Sequence, residues 1–392
     1  MKLLLFTEYR LAHSQGQYWS DVGLSGAAIV GAYQGFSQIC LVARIRKSNE
    51  PEPGSQKVID ERLIVEEIAD YRGIRGFLMN FLRIRRRIKS IIAQDGIVLL
   101  RGCSPQNIIA FFILRKSERR FGYEAVGDPR SVFRFRSIRN PFAPILRWFF
   151  VEAQKKICRE AHVVRYVTSE FLQRQYPSSW GAKTFGFSDI RLQEDDYVKA
   201  PRRYEGRSLD HSLIFIGSLE QLYKGPHILI KALKICRLRS DQIKLKIVGG
   251  GRYAGLLIKM AKQRNLQSNV EFLGRVSRRE DIRACLDEAD VFVLPSFTEG
   301  LPRAMIEAMA RALPCIGTPV GGVGELLGND YLVPPEDPKR LAAKIIELLF
   351  NPALLSQASA DNLRRARLFS NEYIQKERDA LIRELMAINT PG

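Results

Sequence analysis

Acidic residues, cysteine, histidine and long apolar runs are all scarce in this chain of 392 residues. The longest apolar run, Ile108 to Leu114, has seven residues, far short of the ~18 that would span a bilayer as a helix. The N-terminal MKLLLF is too short for the apolar core of a secretory signal, so the expectation is a cytoplasmic protein that at most touches a membrane surface. Six cysteines stand at least 30 residues apart without a CxxC pair, which argues against both a zinc site and a disulfide framework. They read as reduced thiols, mostly in the core. No internal repeat or low-complexity tract occurs. With 46% hydrophobic and 26% charged residues the chain is globular, and its length suggests two or three domains at about 150 residues each.

The shortage of acid is local. Lys and Arg number 61 against 42 Asp and Glu, a net charge of +19, and Arg72 to Arg165 alone holds 21 basic against 6 acidic residues, a net of +15. Within that segment Phe77, Phe81, Ile84, Ile88 and Ile91 recur at the spacing of one helix face, with Arg83, Arg86, Arg87 and Lys89 largely away from it. Phe133 to Phe150 interleaves aromatics with arginines, and its two prolines suggest a loop with a short helix. A solvated helix face, a nucleic-acid grip and an anionic membrane contact are all compatible with a basic amphipathic helix. No RNP pattern, zinc-finger spacing or recognition-helix signature accompanies the charge, which disfavours nucleic acid. The aromatic and arginine segment favours an anionic membrane surface, met through Arg83, Arg86, Arg87, Arg134, Arg136, Arg147 and Trp148.

The polar stretch Glu194 to Asp210 is the best linker candidate. Before it, Lys2 to Phe6, Ile39 to Ala43, Ile97 to Leu100 and Val163 to Val167 read as short strands. After it, strands at Leu213–Ile216, Lys244–Val248, Val270–Phe272, Val291–Leu294 and Cys315–Ile316 alternate with helices at Pro226–Leu238, Tyr253–Arg264, Arg279–Glu288 and Pro302–Ala312. Strict alternation with apolar strands implies a parallel, doubly wound sheet, whose ligands bind outside the carboxyl ends of the strands.

Every one of those strand ends carries glycine: Gly217-Ser218 through Lys224-Gly225, Gly249-Gly250-Gly251, Gly274-Arg275-Val276, Glu299-Gly300-Leu301 and Gly321-Gly322. Glycine lets amides approach an anion, and a helix start behind the loop adds free N–H groups, so a diphosphate is the natural guest. Lys224 can reach back over the strand ends as a counter-charge, or stand as an exposed loop lysine. Glu299 and Glu307, eight residues apart, bracket the helix start at Pro302 and could accept hydrogen bonds from a polyhydroxylated group at two depths. Alternatively Arg303, Glu307 and Arg311 form an i, i+4, i+8 salt-bridge ladder on a solvated face. Spacing alone leaves both open.

Glu299 to Thr318 resembles the E-x7-E region of the retaining glycosyltransferases of family 4, and the likeness extends through FIGSLEQLYKG, IVGGG, VEFLG and GGVGEL, covering roughly Leu213 to Leu349. The first half is more loosely similar to relatives that build bacterial surface polysaccharides. The resemblance implies the GT-B fold, two facing Rossmann-like α/β domains around a cleft, with residues 1–200 binding an acceptor, 208–370 a nucleotide sugar, and 371–392 crossing back to the first domain. It implies that Glu299 contacts the donor sugar, Glu307 the ribose and Lys224 the diphosphate. Gly249, Gly250, Arg275 and Val276 would border the base, with Gly217, Ser218, Gly300, Leu301 and Gly322 lining the phosphate loops.

Two departures stand out. Ser218 occupies a position where many relatives carry a phosphate-binding Arg, leaving Arg303 or Arg275 as replacements. Arg101-Gly102-Cys103 stands where many carry a histidine, and none of His13, His162, His211 and His227 is an obvious catalytic base, His13, expected in the first βα loop, being the least implausible. The implied activity is metal-independent, retaining transfer from a nucleotide-diphosphate sugar to a glycan or lipid-linked acceptor, without a cofactor, peripheral to the inner face of the plasma membrane. Asp195-Asp196 falls in the linker rather than in a metal-binding loop. The rivals are a nucleotide-sugar epimerase of the same fold and a non-catalytic membrane or nucleic-acid binder.

Overall fold

The computed structural model describes residues 1–21, 24–52, 55–132, 142–190, 192–206, 211–276 and 278–388. Its two sheets are both built around parallel strands with helical crossovers. The first has nine strands: β1 (Lys2–Ser14), β2 (Gln17–Ser20), β3 (Gln38–Lys47), β4 (Gln56–Lys57), β5 (Leu63–Ala69), β6 (Ile97–Arg101), β7 (Phe121–Ala125), β8 (Val163–Tyr166) and β9 (Lys183–Gly186). Side by side they run β5-β3-β1-β6-β7-β8-β9, all parallel, while β2 pairs antiparallel with the far end of β1 and with β4. The second sheet holds β10 (Ser212–Ile216), β11 (Lys244–Val248), β12 (Val270–Gly274), β13 (Val291–Leu294) and β14 (Cys315–Gly317) in the order β12-β11-β10-β13-β14.

Apolar runs without alternation become strands buried on both faces, as in LLLF of β1 and VFVL of β13. In each sheet the chain leaves a central strand in opposite directions. That reversal lies between β1 and β6 in the first sheet and between β10 and β13 in the second, and the strands' carboxyl ends open a crevice there.

Several elements differ from the sequence reading for identifiable reasons. β1 continues past Phe6 through a register break to Ser14, so His13 is not in a βα loop. It is the register partner of Tyr18 and Lys47, and its ring stacks on Tyr18 at 4.9 Å. An 18-residue helix spans Ala143–Glu160 where a short one was expected: Pro144 sits in the first turn, where no intrahelical N–H is needed. Arg134 and Arg136 lie outside the described residues. Between Glu194 and Gly206 the described part of the polar stretch is seated rather than free. Tyr197 and Tyr204 pack into the C-terminal core, and Arg202 donates to the carbonyls of Arg311, Ala289 and Leu286.

The Gly73–Ile92 helix buries Ile84, Ile88 and Ile91 against the first sheet. It also turns Leu78 and Met79 to solvent at 64% and 87% exposure, a second apolar face that the periodicity did not reveal. At the other end of the chain, the helix Asn371–Ala387 inserts Ile374, Leu381, Ile382 and Leu385 into the cluster built by Leu3, Leu5, Ile39 and Leu41. Gly122 of β7 leaves the room that Leu385 fills. Leu385→Ala is therefore expected to cost about 3 kcal/mol, from lost burial plus the cavity left behind. Denaturant unfolding followed by fluorescence checks it, and a loss under about 1 kcal/mol would mean that the last helix is not part of this core.

Candidate functional site

The reversal in the second sheet brings two loops together. One leaves β10 and carries Gly217 to Gly225; the other leaves β13 and carries Ser296 to Leu301. Lys224 Nζ donates to Glu299 Oε1 at 2.9 Å, and Ser296 Oγ donates to the same oxygen at 2.7 Å. Both charged side chains are largely shielded from solvent. Burial opposes the charge on Lys224, but the Glu299 carboxylate, with Tyr223 beside it, outweighs that effect and holds the ammonium pKa above its ordinary value. Lys224 therefore stays charged throughout the neutral range. Its stem crosses Gly217 so closely that any Cβ there would strike it.

The glycine loops are locked to one another through their backbones. Gly249, at φ +146°, lies against the Gly217 carbonyl with no space for a side chain, and its amide donates to Gly274 O at 2.7 Å. Leu219 N donates to Gly250 O at 2.9 Å, and the Arg275 side chain lies beside Gly250. Val276 packs against the C-terminal core. Gly321, at φ +54°, presses on the Glu299 carbonyl, and Gly322 N donates to Gly300 O at 2.6 Å. That amide is engaged within the protein, and the helix behind it, Val323–Leu326, is a single turn with little dipole. The expected contribution of a helix start at Gly322 is therefore small. The helix Arg303–Ala310, behind Gly300 and Leu301, is the longer of the two.

Glu307 lies one turn into that helix. The ladder of Arg303, Glu307 and Arg311 does not form, because Arg311 turns to Asp287 at 2.6 Å. Burial pushes the Glu307 pKa up, against the lowering effect of Arg303 and Arg279. Ser218 is confined to a local turn, its hydroxyl accepting from Glu220 N at 3.3 Å. Of the two replacement cations, Arg303 is exposed, lines the cleft and stands near enough to Lys224 to oppose its charge, while Arg275 lies beside Gly250. Asp196, half of the Asp195-Asp196 pair, is bound by Arg279 at 3.1 Å and Arg283 at 3.5 Å.

Across the cleft stand groups that sequence reasoning missed. Glu8 follows the LLLFT run of β1 at the reversal point of the first sheet, a position that was its only signal. Protein crowds its carboxyl although solvent reaches it, and burial raises its pKa, partly offset by Arg101 and Arg44. Arg101 is tied to Glu124 and Asp189, with Arg165 completing a buried network that fixes the ends of β6 to β8. His13 is not among the residues that line this cleft; it faces a separate basic depression with Arg83, Arg86 and Arg87. The two halves touch at the site itself. Glu325 accepts from the amides of Ser169, Glu170 and Phe171 at 2.7, 3.1 and 2.5 Å, and Thr298 Oγ1 donates to Ser131 Oγ at 2.5 Å.

Two doubly wound α/β domains whose strand ends face each other over a charged crevice define the GT-B architecture. Residues 203–365 match the model of the family described as glycosyl transferases group 1. Protein CapJ of Staphylococcus aureus is 25% identical over 99% of this chain and 97% of its own length. The putative colanic acid biosynthesis glycosyltransferase WcaL of Escherichia coli K12 is 31% identical over 47% of this chain, which spans about half (48%) of that relative. Among solved structures, Anabaena HepE in complex with UDP and glucose superposes with a TM-score of 0.65 at 16% identity, covering 99% of this chain and 100% of that one.

The Glu307 environment yields a measurable consequence. A carboxyl whose folded pKa is raised opposes folding once ionised, so the unliganded wild type loses stability as pH rises through that pKa. Glu307→Gln should therefore raise Tm at pH 7, and the gain should vanish in acid, where Glu307 is itself protonated. Thermal melts across pH check this; a Tm deficit at pH 7 would mean that the ionised carboxylate stabilises the empty site.

Proposed function

We propose that the protein is a retaining glycosyltransferase that moves a sugar from a nucleoside diphosphate sugar to a glycan or lipid-linked acceptor in bacterial surface polysaccharide synthesis. The observation that carries the reading is the shielded Lys224–Glu299 contact at the reversal point of the second sheet, facing the first domain. The likeness to WcaL, a putative colanic acid biosynthesis glycosyltransferase, and to HepE, which binds UDP and glucose, supports it.

In this reading the diphosphate enters beside Lys224 and draws its ammonium away from Glu299, whose carboxylate is then free to accept from a sugar hydroxyl. Arg303 supplies the cation that Ser218 lacks, and Glu307 binds ribose hydroxyls from inside the helix. The bond between the anomeric carbon and the phosphate oxygen breaks with its electron pair going to the diphosphate. The acceptor oxygen bonds to the same face of that carbon, and its proton passes to a diphosphate oxygen. Positive charge fixed where the leaving group gains negative charge supplies the rate. No cofactor or metal enters these steps, and the engagement of Asp196 by two arginines is consistent with that.

Calorimetry with nucleotide sugars should show weakened binding in Lys224→Ala, Glu299→Ala and Glu307→Ala; unchanged affinity in all three would sink the donor site. Lys224→Met should lower kcat/KM by roughly 10² to 10³, the typical loss on removing one charge-stabilising donor. NMR of the product should show the donor's anomeric configuration, undiminished by EDTA. Donor hydrolysis without transfer would favour the epimerase reading.

We further propose that the protein sits on the cytoplasmic face of the membrane through its basic first half. Among the described candidates Trp148 is 65% exposed, Arg83 and Arg86 line the basic depression, and Arg87 is held by Glu66 at 2.5 Å. Anionic liposomes should carry the protein upward in flotation, and neutralising Arg83, Arg86 and Arg87 together should reduce that; full retention would exclude this helix as the contact.

A further inference from the structure

The cleft that Tyr223 and Arg303 border does not end at the sheet edge. It continues without a break into a groove between the helices Gly73–Ile92, Pro105–Lys116 and Ala143–Glu160, a cavity of about 1800 Å³ in all. That exceeds the roughly 300–1,000 Å³ of ordinary small-molecule pockets. The groove's walls are apolar along their length. Ile74, Phe77, Leu78 and Phe81 form one stripe and Phe112 faces in from the second helix, although Leu78 and Phe112 are 64% and 50% exposed. From Ile74 to Lys89 the stripe runs roughly 22 Å at 1.5 Å per residue.

Its charges are arranged by position. At the cleft end stands Arg44, with no carboxylate within 4 Å among the described residues, although Glu8 and Asp70 lie near enough to feel its charge; its terminal nitrogens donate to the carbonyls of Tyr71 and Glu8 at 3.3 and 3.1 Å, its guanidinium lies over the Tyr71 ring, and its Nε is buried without a hydrogen-bond partner. At the far end stand Arg85, Lys89 and Lys116, likewise without ion pairs among the described residues. An apolar channel with cations at both ends that form no ion pair among the described residues matches a molecule with an anionic head and a long hydrocarbon chain. A sugar polymer would leave the stripe unsatisfied, and a neutral lipid would leave the cations so.

We propose that the groove holds the hydrocarbon chain of a lipid-linked acceptor. Its phosphate lies at Arg44, its receiving hydroxyl reaches into the cleft beyond, and its chain runs along the stripe toward Arg85, Lys89 and Lys116. This rests on the transferase reading of the cleft and narrows its acceptor to a phosphate-bearing lipid. The far-end cations then face the phosphates of the bilayer from which the chain is drawn, and the exposed Leu78 lies where the chain would enter.

Calorimetric titration with farnesyl monophosphate, isopentenyl monophosphate and farnesol tests this. Each buried methylene is worth about fourfold in affinity, so farnesyl monophosphate should bind at least about a hundredfold more tightly than isopentenyl monophosphate. Leu78→Glu and Phe112→Glu, both at solvent-reached positions, should each weaken farnesyl monophosphate at least tenfold and leave isopentenyl monophosphate and the nucleotide sugar unaffected. Arg44→Gln should reduce farnesyl monophosphate to the affinity of farnesol. Equal affinity for the two phosphates while the nucleotide sugar still binds would overturn the groove assignment and leave the transferase reading intact. Chain-length-dependent binding without any nucleotide-sugar binding would support the groove and overturn the transferase reading. A dimer in sedimentation that Leu78→Glu dissociates would overturn the proposal in favour of a second copy of the chain in the groove.

Discussion

A charge pair held out of water between two loops is the constraint around which the C-terminal half is arranged. Glu299, 2.9 Å away, offsets the cost of burying the Lys224 charge, and is itself oriented by Ser296. Shielding magnifies both the attraction within the pair and the loss when either partner is left alone. In the proposed reaction, an incoming diphosphate would replace one anion with another without stranding the lysine. The glycines follow from the same demand. Gly217 lets the lysine stem pass, and Gly249 and Gly321 let neighbouring loops close up until their backbones touch. The site is thus stiff before any ligand arrives, which is how electrostatic stabilisation avoids reorganisation at the moment of reaction.

The two halves present different surfaces to that site. The second contributes compact loops and a few cations, while the first contributes a broad basic face with exposed aromatic and aliphatic groups. The net charge of +15 between Arg72 and Arg165 is therefore not uniform. Arg101 and Arg165 are buried in an ion network that stiffens the strand ends, and Arg87 is held by a glutamate, while Arg85, Lys89 and Lys116 line a groove without ion pairs among the described residues. One composition figure thus covers structural and surface cations at once.

Much of this was legible in the sequence where local rules decide. The strands and helices of the second sheet fall within two residues of the periodicity reading, because apolar strands, Gly turns and Pro226 at a first helical turn are all local signals. The loops that hold Lys224 and Glu299 follow from the sheet's order. What remained hidden was set by distant partners. Spacing allowed a ladder of Arg303, Glu307 and Arg311; Asp287, on a neighbouring helix, decided against it. The length of β1 depends on β2 and β3 rather than on its own pattern, and Leu78, Met79 and Leu82 lay outside the single helical face that periodicity picks out. Glu8 carries no motif at all, and only the fold brings it to the cleft.

The last helix has a consequence for how the chain is made. Because Ile374, Leu381, Ile382 and Leu385 complete the cluster begun by Leu3 and Leu5, the first sheet cannot close its core while the polypeptide is still emerging from the ribosome through the second. The later-made half, whose own cluster runs from Ile190 to Ala366, has all of its side chains first. Order of synthesis and order of completion are reversed in this protein. The basic, greasy half is the last to be sealed and depends longest on whatever shields nascent chains.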